Sequence, residues 1–173
     1  ASLAGLLKPM RGEFMVGDIS VRSFPVPHDS PGGCFGYSVA AESDRGVRRL
    51  TIATDIGFTD QVLGNNFVDS HALVIESNHD IAMLENSRRP AWLKRRIREI
   101  GHLSNDECAG LVRNVLDRSS ILPEHIVLAH ISQQCNTNPL AVECTEENLS
   151  RLGLTHVSVV ESFRRKPSTV IAV

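Results

Sequence analysis

Histidines and acidic residues recur in this chain at one kind of place, where a short apolar run ends and a turn begins. The run Ile19 to Val26 passes into Pro27-His28-Asp29, and Arg48 to Thr54 passes into Asp55. Ala72 to Ile75 leads to Glu76-Ser77-Asn78-His79-Asp80, and His125 to Ala129 leads to His130. Neutral imidazole and carboxylate suit zinc, manganese or iron, and one carboxylate can bridge two ions about 3.5–4 Å apart. The His and acidic residues of these four strand ends, taken as a set, therefore read as part of a dinuclear site. A single His at a strand end is more often a hydrogen-bonded structural residue, so the weight rests on the recurrence. His102 stands just ahead of Ser104-Asn105-Asp106-Glu107, a capping box, where free N–H groups and the helix dipole favour an anion. It is a candidate to hold a phosphate oxygen or to protonate a leaving group. Asn78 and Ser132 flank these positions and could donate to phosphate, although both are also ordinary turn or cap residues.

The elements that must position these groups follow from periodicity. Glu13 to Val16, Ile19 to Val26, Phe35 to Ala41 and Arg48 to Thr54 are rich in β-branched and aromatic residues, separated by turns such as Gly17-Asp18 and Asp44-Arg45-Gly46. They predict an antiparallel meander. From Asp55 onward helix and strand alternate, with apolar strands at Ala72 to Ile75, His125 to Ala129 and Val157 to Val160, so the fold class is α/β. The clearest helix begins at Ser104, with Cys108, Leu111, Val112, Val115 and Leu116 on one face. A second is expected with Asn138 as cap and Pro139 at the first helical position, ending near Gly153.

A length of 173 residues and 42% hydrophobic content suit one domain spanning residues 1–173. The formal charge of -2 gives no global pull toward nucleic acid or anionic lipid, so any such binding needs a local patch. One candidate is the run Arg88, Arg89, Lys94, Arg95, Arg96 and Arg98, six of the 18 Lys and Arg within eleven residues. Leu93, Ile97 and Ile100 would form its apolar stripe, with Lys94, Arg95 and Arg98 opposite, a face able to hold a nucleic-acid backbone. A solvated helix face is the commoner explanation of such a run. Trp92 reads as packing rather than base stacking. Cys34, Cys108, Cys135 and Cys144 lack C-x-x-C spacing, which suggests reduced thiols and a cytoplasmic protein. Ala1 to Met10 does not resemble a signal peptide, and no run is long enough to span a membrane.

Taken in order, Phe24-Pro25-Val26-Pro27-His28-Asp29, Gly36-Tyr37, Ala53-Thr54-Asp55-Ile56-Gly57, Glu76-Ser77-Asn78-His79-Asp80, Gly101-His102-Leu103-Ser104-Asn105 and Leu128-Ala129-His130-Ile131-Ser132 resemble the YycJ/WalJ-like branch of the metallo-β-lactamase superfamily. The likeness covers roughly residues 13 to 145. It implies the C-terminal portion of an αββα sandwich and a metal-dependent phosphodiester hydrolase of exonuclease type. His28 and His130 would each bind one of two divalent ions, zinc or manganese, with Asp55 bridging them. His102 would lie beside the substrate as proton donor, and His79 in or beside the site.

The superfamily's H-x-H-x-D-H motif is absent from the 173 residues. The resemblance therefore places the chain after that motif, and the chain alone is expected to bind little or no metal and to be inactive. Removal of N-terminal strands would expose the inner face of the sheet, so self-association is expected unless Ala1 to Leu7 covers it. Two readings compete with a nuclease: a small-substrate hydrolase on the same centre, and a non-catalytic half that acts only with its missing partner segment.

Overall fold

The computed structural model describes residues 12–173. Ala1 to Met10, including the Ala1 to Leu7 stretch expected to shield the sheet, lies outside the described residues. Seven strands, β1 (Glu13–Val16), β2 (Ile19–Val26), β3 (Cys34–Ser43), β4 (Gly46–Ala53), β5 (Ala72–Glu76), β6 (His125–Ala129) and β7 (Ser158–Glu161), form one sheet in sequence order. The pairs from β1 to β4 are antiparallel and those from β4 to β7 parallel. The change of pairing falls between β4 and β5, just past Asp55, where the sequence pattern changes. Because β2 and β4 both oppose β3, strands β2, β4, β5, β6 and β7 all run the same way. Their C-terminal ends therefore share one end of the sheet.

Between the parallel strands run α1 (Gln61–Asn65), α2 (Ile81–Asn86), α3 (Ala91–Arg96), a π-helical turn (Ile97–Gly101), α4 (Asn105–Leu116) and α5 (Asn138–Arg151). Alternation along each strand sends Leu73, Ile75, Ile126 and Leu128 into one core, where they meet Cys108, Leu111, Val112 and Val115 of α4 and Ala141 and Leu149 of α5. Each such large aliphatic side chain contributes roughly 1.5–3 kcal/mol by leaving water. The in-between positions Ile52, Val74, Val127 and Val160 pair across four strands and are only half-buried. They form an apolar row on the sheet face away from that core.

Two glycines are required by close approach. A Cβ at Gly36 would lie 2.4 Å from the Phe24 ring, and one at Gly57 would lie 2.2 Å from the Ile100 carbonyl oxygen. Gly57 also donates to the Pro27 carbonyl at 2.6 Å, which ties the loop after β4 to the loop after β2.

Three expectations are corrected. The cap of α5 is Thr137, whose hydroxyl accepts from Leu140 N–H, so Asn138 is already helical. The basic run is not one regular helix: α3 gives way at Ile97 to the π-helical turn, whose wider winding takes Ile100 out of the stripe and leaves it 45% exposed. Trp92 does not pack; it is 63% exposed.

The capping box on α4 forms in full. Ser104 Oγ accepts from Glu107 N–H at 3.2 Å, and Glu107 Oε2 accepts from Ser104 N–H at 2.8 Å. Ser104→Ala should cost about 1–2 kcal/mol of stability, read as a lower urea midpoint at unchanged slope. Glu107→Ala should shift it the same way, and the two losses should not add, because both break one reciprocal pair.

Candidate metal centre

Asp55 follows β4 after Thr54 and His130 follows β6 directly, and both are non-glycine residues in the left-handed region, with φ of 57° and 54°. That backbone turns each side chain back over the end of the sheet, and it is disfavoured unless neighbours hold it. The holding group is Glu76, the last residue of β5, with no exposed surface. Its Oε2 accepts from the Asp55 N–H at 2.6 Å and from His130 Nδ1 at 2.8 Å. Its Oε1 accepts from the Leu103 N–H at 2.8 Å, with His102 Nδ1 at 3.4 Å, close but not aligned for a hydrogen bond. Three donors thus hold the two carboxylate oxygens. Burial pushes the Glu76 carboxyl upward, and contacts with His102 and His130 outweigh this, leaving it below its ordinary value. His130 moves the opposite way: its bond to Glu76 raises it, against the effect of burial.

His28 and His102 complete a row of imidazoles. Ring centroids are 5.4 Å apart for His28 and His102 and 5.0 Å for His102 and His130. His28 Nδ1 is bonded to the Gly101 carbonyl at 2.9 Å, so its Nε2 is the nitrogen left for other partners; Asp29 Oδ1 lies 3.6 Å from it. The Nδ1 of His130 is likewise taken by Glu76, which leaves its Nε2. In both rings the second nitrogen is fixed by a hydrogen bond to protein, the arrangement that orients an imidazole for metal ligation. Asp55 Oδ1 stands 3.8 Å from His130 Nδ1, and Asp55 Oδ2 accepts only a 3.2 Å bond from Thr54 Oγ1.

Ligand atoms of Asp55, Glu76, His102 and His130 all lie within 4.8 Å of one another. Two imidazoles and two carboxylates at that spacing fit a divalent first-row ion. With its oxygens engaged by the Asp55 N–H, the Leu103 N–H and His130 Nδ1, Glu76 serves here as the group that orients its neighbours, and the open donors are those of Asp55, His130 and the nearby His28. Sequence reading placed Glu76 in a strand-end motif without giving it a role. The available signal was an acidic residue closing an otherwise apolar, buried strand.

The remaining expected site residues fall in different places. His79 lies beneath the cleft wall with no exposed surface and neither ring nitrogen bonded among the described residues; burial lowers its pKa, which favours the neutral ring. Asn78 spends an amide N–H on the His130 carbonyl at 2.7 Å, and Ser132 Oγ accepts from the Cys135 N–H at 3.2 Å. Beneath them Ser77, Asn105 and Asn136 form a buried amide network, with Ser77 Oγ to Asn105 Oδ1 at 2.7 Å and Asn136 Nδ2 to Asn105 Oδ1 at 2.8 Å. Lys94, Arg95 and Arg98 are not brought to the site. They line a separate depression with Glu85 and Ala91, Arg95 is paired with Glu99 at 3.0 Å, and Arg98 with Glu85 at 2.8 Å.

His28, His102 and His130 open onto a cleft of about 1100 Å³. Its cationic lining comes from Arg89, Arg96 and the stretch Arg164-Arg165-Lys166, which sequence reading did not single out. Arg96 is paired with Asp29 and holds that carboxyl below its ordinary value.

A meander running into parallel strands, with imidazoles and a carboxylate gathered at the strand ends, has the metallo-β-lactamase fold. The chain superposes on the metallo-β-lactamase fold protein YhfI from Bacillus subtilis with a TM-score of 0.60 at 11% identity, covering 90% of this chain and 51% of that one. It superposes on Zn(2+)-bound PqqB from Methylobacterium extorquens with a TM-score of 0.54 at 19% identity, covering 88% and 52%. In sequence it is 34% identical over 138 residues to the exodeoxyribonuclease YycJ of Bacillus anthracis, 79% of this chain and 49% of that protein. The chain belongs to the metallo-β-lactamase superfamily. It spans about half the length of the curated relatives it matches. No protein-family model matches it.

The Glu76–His130 pair has a pH signature. Folding raises the pKa of His130, so the pair stabilises the fold fully below the ordinary histidine value of 6.5, and this contribution is lost as pH rises through the elevated value. Proton NMR titration of the imidazoles in chelator should find His130 above the ordinary value. Glu76→Gln should return it toward that value, and an unmoved His130 would show that the contact is not a charged pair.

Proposed function

We propose that this chain forms part of a metal-dependent phosphodiester hydrolase of exonuclease type that acts on nucleic acid. The observation that carries this reading is the gathering of Asp55, His102 and His130 around one buried carboxylate, Glu76, at the mouth of a cationic cleft. His28, Asp55 and His130 would hold divalent ions, zinc or manganese, together with ligands from an upstream H-x-H-x-D-H segment. Bound there, the ions would supply Lewis-acid polarisation of a phosphoryl oxygen and acidify a water.

The protein's own groups do the rest. Glu76 fixes the ring of His130 and, through the Asp55 N–H, the turn that aims the Asp55 carboxylate. His102 presents Nδ1 to Glu76 and the other side of its ring to the cleft. His102 delivers a proton from Nε2 to the leaving oxygen as the bond from phosphorus to that oxygen breaks and the oxygen of the attacking water bonds to phosphorus. His79 and Asn78 support this wall from behind, and Ser132 shapes the turn after His130. The similarity to the exodeoxyribonuclease YycJ supports DNA as the polymer. Among the described residues no helix is long and apolar enough to cross a membrane. The four free cysteine thiols fit a reducing compartment such as the cytoplasm.

Two experiments test this reading. In a polypeptide that includes the upstream metal-ligand segment, dialysis against manganese or zinc should give stoichiometric metal and exonucleolytic cleavage of DNA, and chelation should abolish cleavage. There His102→Ala should lower kcat by about 10²–10⁴ with metal content unchanged. Loaded protein that leaves DNA intact would refute the proposal. The 173-residue chain alone should retain little metal and turn over little or no DNA.

The half-buried row of Ile52, Val74, Val127 and Val160 supports self-association of the isolated chain through that sheet face. Sedimentation velocity should show a concentration-dependent larger species. Val74→Lys with Val127→Lys should return it to monomer; a wild-type chain that is monomeric throughout would exclude this.

A further inference from the structure

Among the described residues some cations are cancelled by carboxylates and others are held by neutral acceptors, the latter including Arg22 on Asn66 Oδ1 and Arg118 on Asn65 Oδ1, neither of which lines the cleft. Arg45, Arg48, Arg95, Arg96, Arg98, Arg113 and Arg151 each stand in an ion pair with an Asp or Glu. Arg89 and Arg164, both lining the cleft, are instead bonded to neutral amides: Arg89 to Gln134 Oε1 at 2.9 Å, and Arg164 to Gln133 Oε1 at 3.4 Å. A neutral acceptor orients a guanidinium without cancelling its charge. Gln133 and Gln134 are consecutive residues of the turn that follows His130. The two guanidiniums are thus moored to adjacent residues of that turn, by side chains from distant parts of the chain, one just before α3 and one just after β7.

The second wall has a firm base. β7 is parallel to β6, so it ends at the same end of the sheet as the metal-centre residues. Its continuation is pinned where the Ser162 N–H donates to the Leu128 carbonyl at 2.8 Å and Asn138 Nδ2 donates to the Ser162 carbonyl at 3.3 Å. Two residues later come Arg164, Arg165 and Lys166. The Lys166 ammonium sits 3.9 Å from the centre of the Phe163 ring, a cation–π contact that keeps the charge at the cleft. None of these three cations has a carboxylate partner among the described residues.

We infer that Arg164, Arg165 and Lys166, facing Arg89 across the turn after His130, form a two-walled track for the phosphates of a single nucleic-acid strand. The inference rests on the proposed nuclease reading and assigns it a path. A chain of regularly spaced negative charges suits uncancelled cations on both walls, and their neutralisation releases counterions from the strand. The helix face of Lys94, Arg95 and Arg98, with its local glutamates, offers much less net charge.

The test is fluorescence anisotropy of a labelled single-stranded oligodeoxynucleotide on the 173-residue chain, in chelator so that binding is read without cleavage. Arg164→Glu with Arg165→Glu and Lys166→Glu should raise Kd at least about tenfold at low salt, and the log–log salt slope should shrink by about 2, as loss of three phosphate contacts to a single strand requires. The same three positions changed to Gln should move both quantities in the same direction by less. Lys94→Glu with Arg95→Glu and Arg98→Glu should leave Kd within about twofold. Circular-dichroism melts of the Arg164, Arg165 and Lys166 variants should match the wild type, since those side chains are exposed, and the helix-face variant, which breaks the Arg95–Glu99 and Arg98–Glu85 pairs, should remain folded at the assay temperature. Wild-type binding that survives the wall variant, or falls equally in the helix-face variant, overturns the track and leaves the nuclease reading standing. A wild-type chain that fails to bind the strand at low salt overturns both.

Discussion

The end of the sheet where the site lies depends on one buried carboxylate. Removing an ionised Glu from water carries a penalty of several kcal/mol unless hydrogen bonds and opposite charge replace the solvent. Glu76 meets that demand with donors from three separate parts of the chain: the Asp55 N–H after β4, the Leu103 N–H before α4, and the His130 ring after β6. Satisfying the carboxylate therefore fixes the relative positions of those loops. It also accounts for the two left-handed residues, since both Asp55 and His130 are bonded to the same oxygen that a relaxed backbone would leave unpaired.

A second tier of constraints keeps this arrangement from sliding. Gly57 allows its loop to press on the Ile100 carbonyl, and its N–H reaches Pro27, so the segments bearing His28 and Asp55 move as one. The π-helical turn delivers the Gly101 carbonyl to His28 Nδ1. Below, the Ser77 hydroxyl and the Asn105 and Asn136 amides close a network that joins the loop after β5 to the start of α4 and the approach to α5. Buried networks of this kind favour one geometry because each broken member leaves an unpaired polar group in a low-dielectric interior.

Much of this was legible in the sequence where the determinants are local. Strand periodicity located all seven strands, with ends within two residues, because alternation reports which side chains face the core. The Ser104 capping box is written in four consecutive residues. His28, Asp55 and His130 were visible as polar interruptions at apolar strand ends. Glu76 resembles them on the page, yet its role depends on donors 21, 27 and 54 positions away, which no local pattern encodes. Leu93, Ile97 and Ile100 keep a helical spacing that tertiary contact overrides, because the backbone at Ile100 must meet Gly57. The stretch Arg164-Arg165-Lys166 carries no periodic signal; only the direction of β7 brings it to the cleft.

The same geometry explains why a proton belongs in the site when no cation occupies it. Glu76 and Asp55 place two negative charges against His130, and the ring answers by holding its proton more tightly than a free imidazole, through the bond to Glu76. The Nε2 of that ring is the nitrogen left by the Nδ1 bond to Glu76. If His130 ligates an ion as proposed, binding would remove the Nε2 proton while the Nδ1–H bond to Glu76 persists, so the raised affinity for a proton would oppose ligation as pH falls. The carboxylate that aims His130 thus also sets how strongly protons compete for it, and both effects pass through one 2.8 Å hydrogen bond.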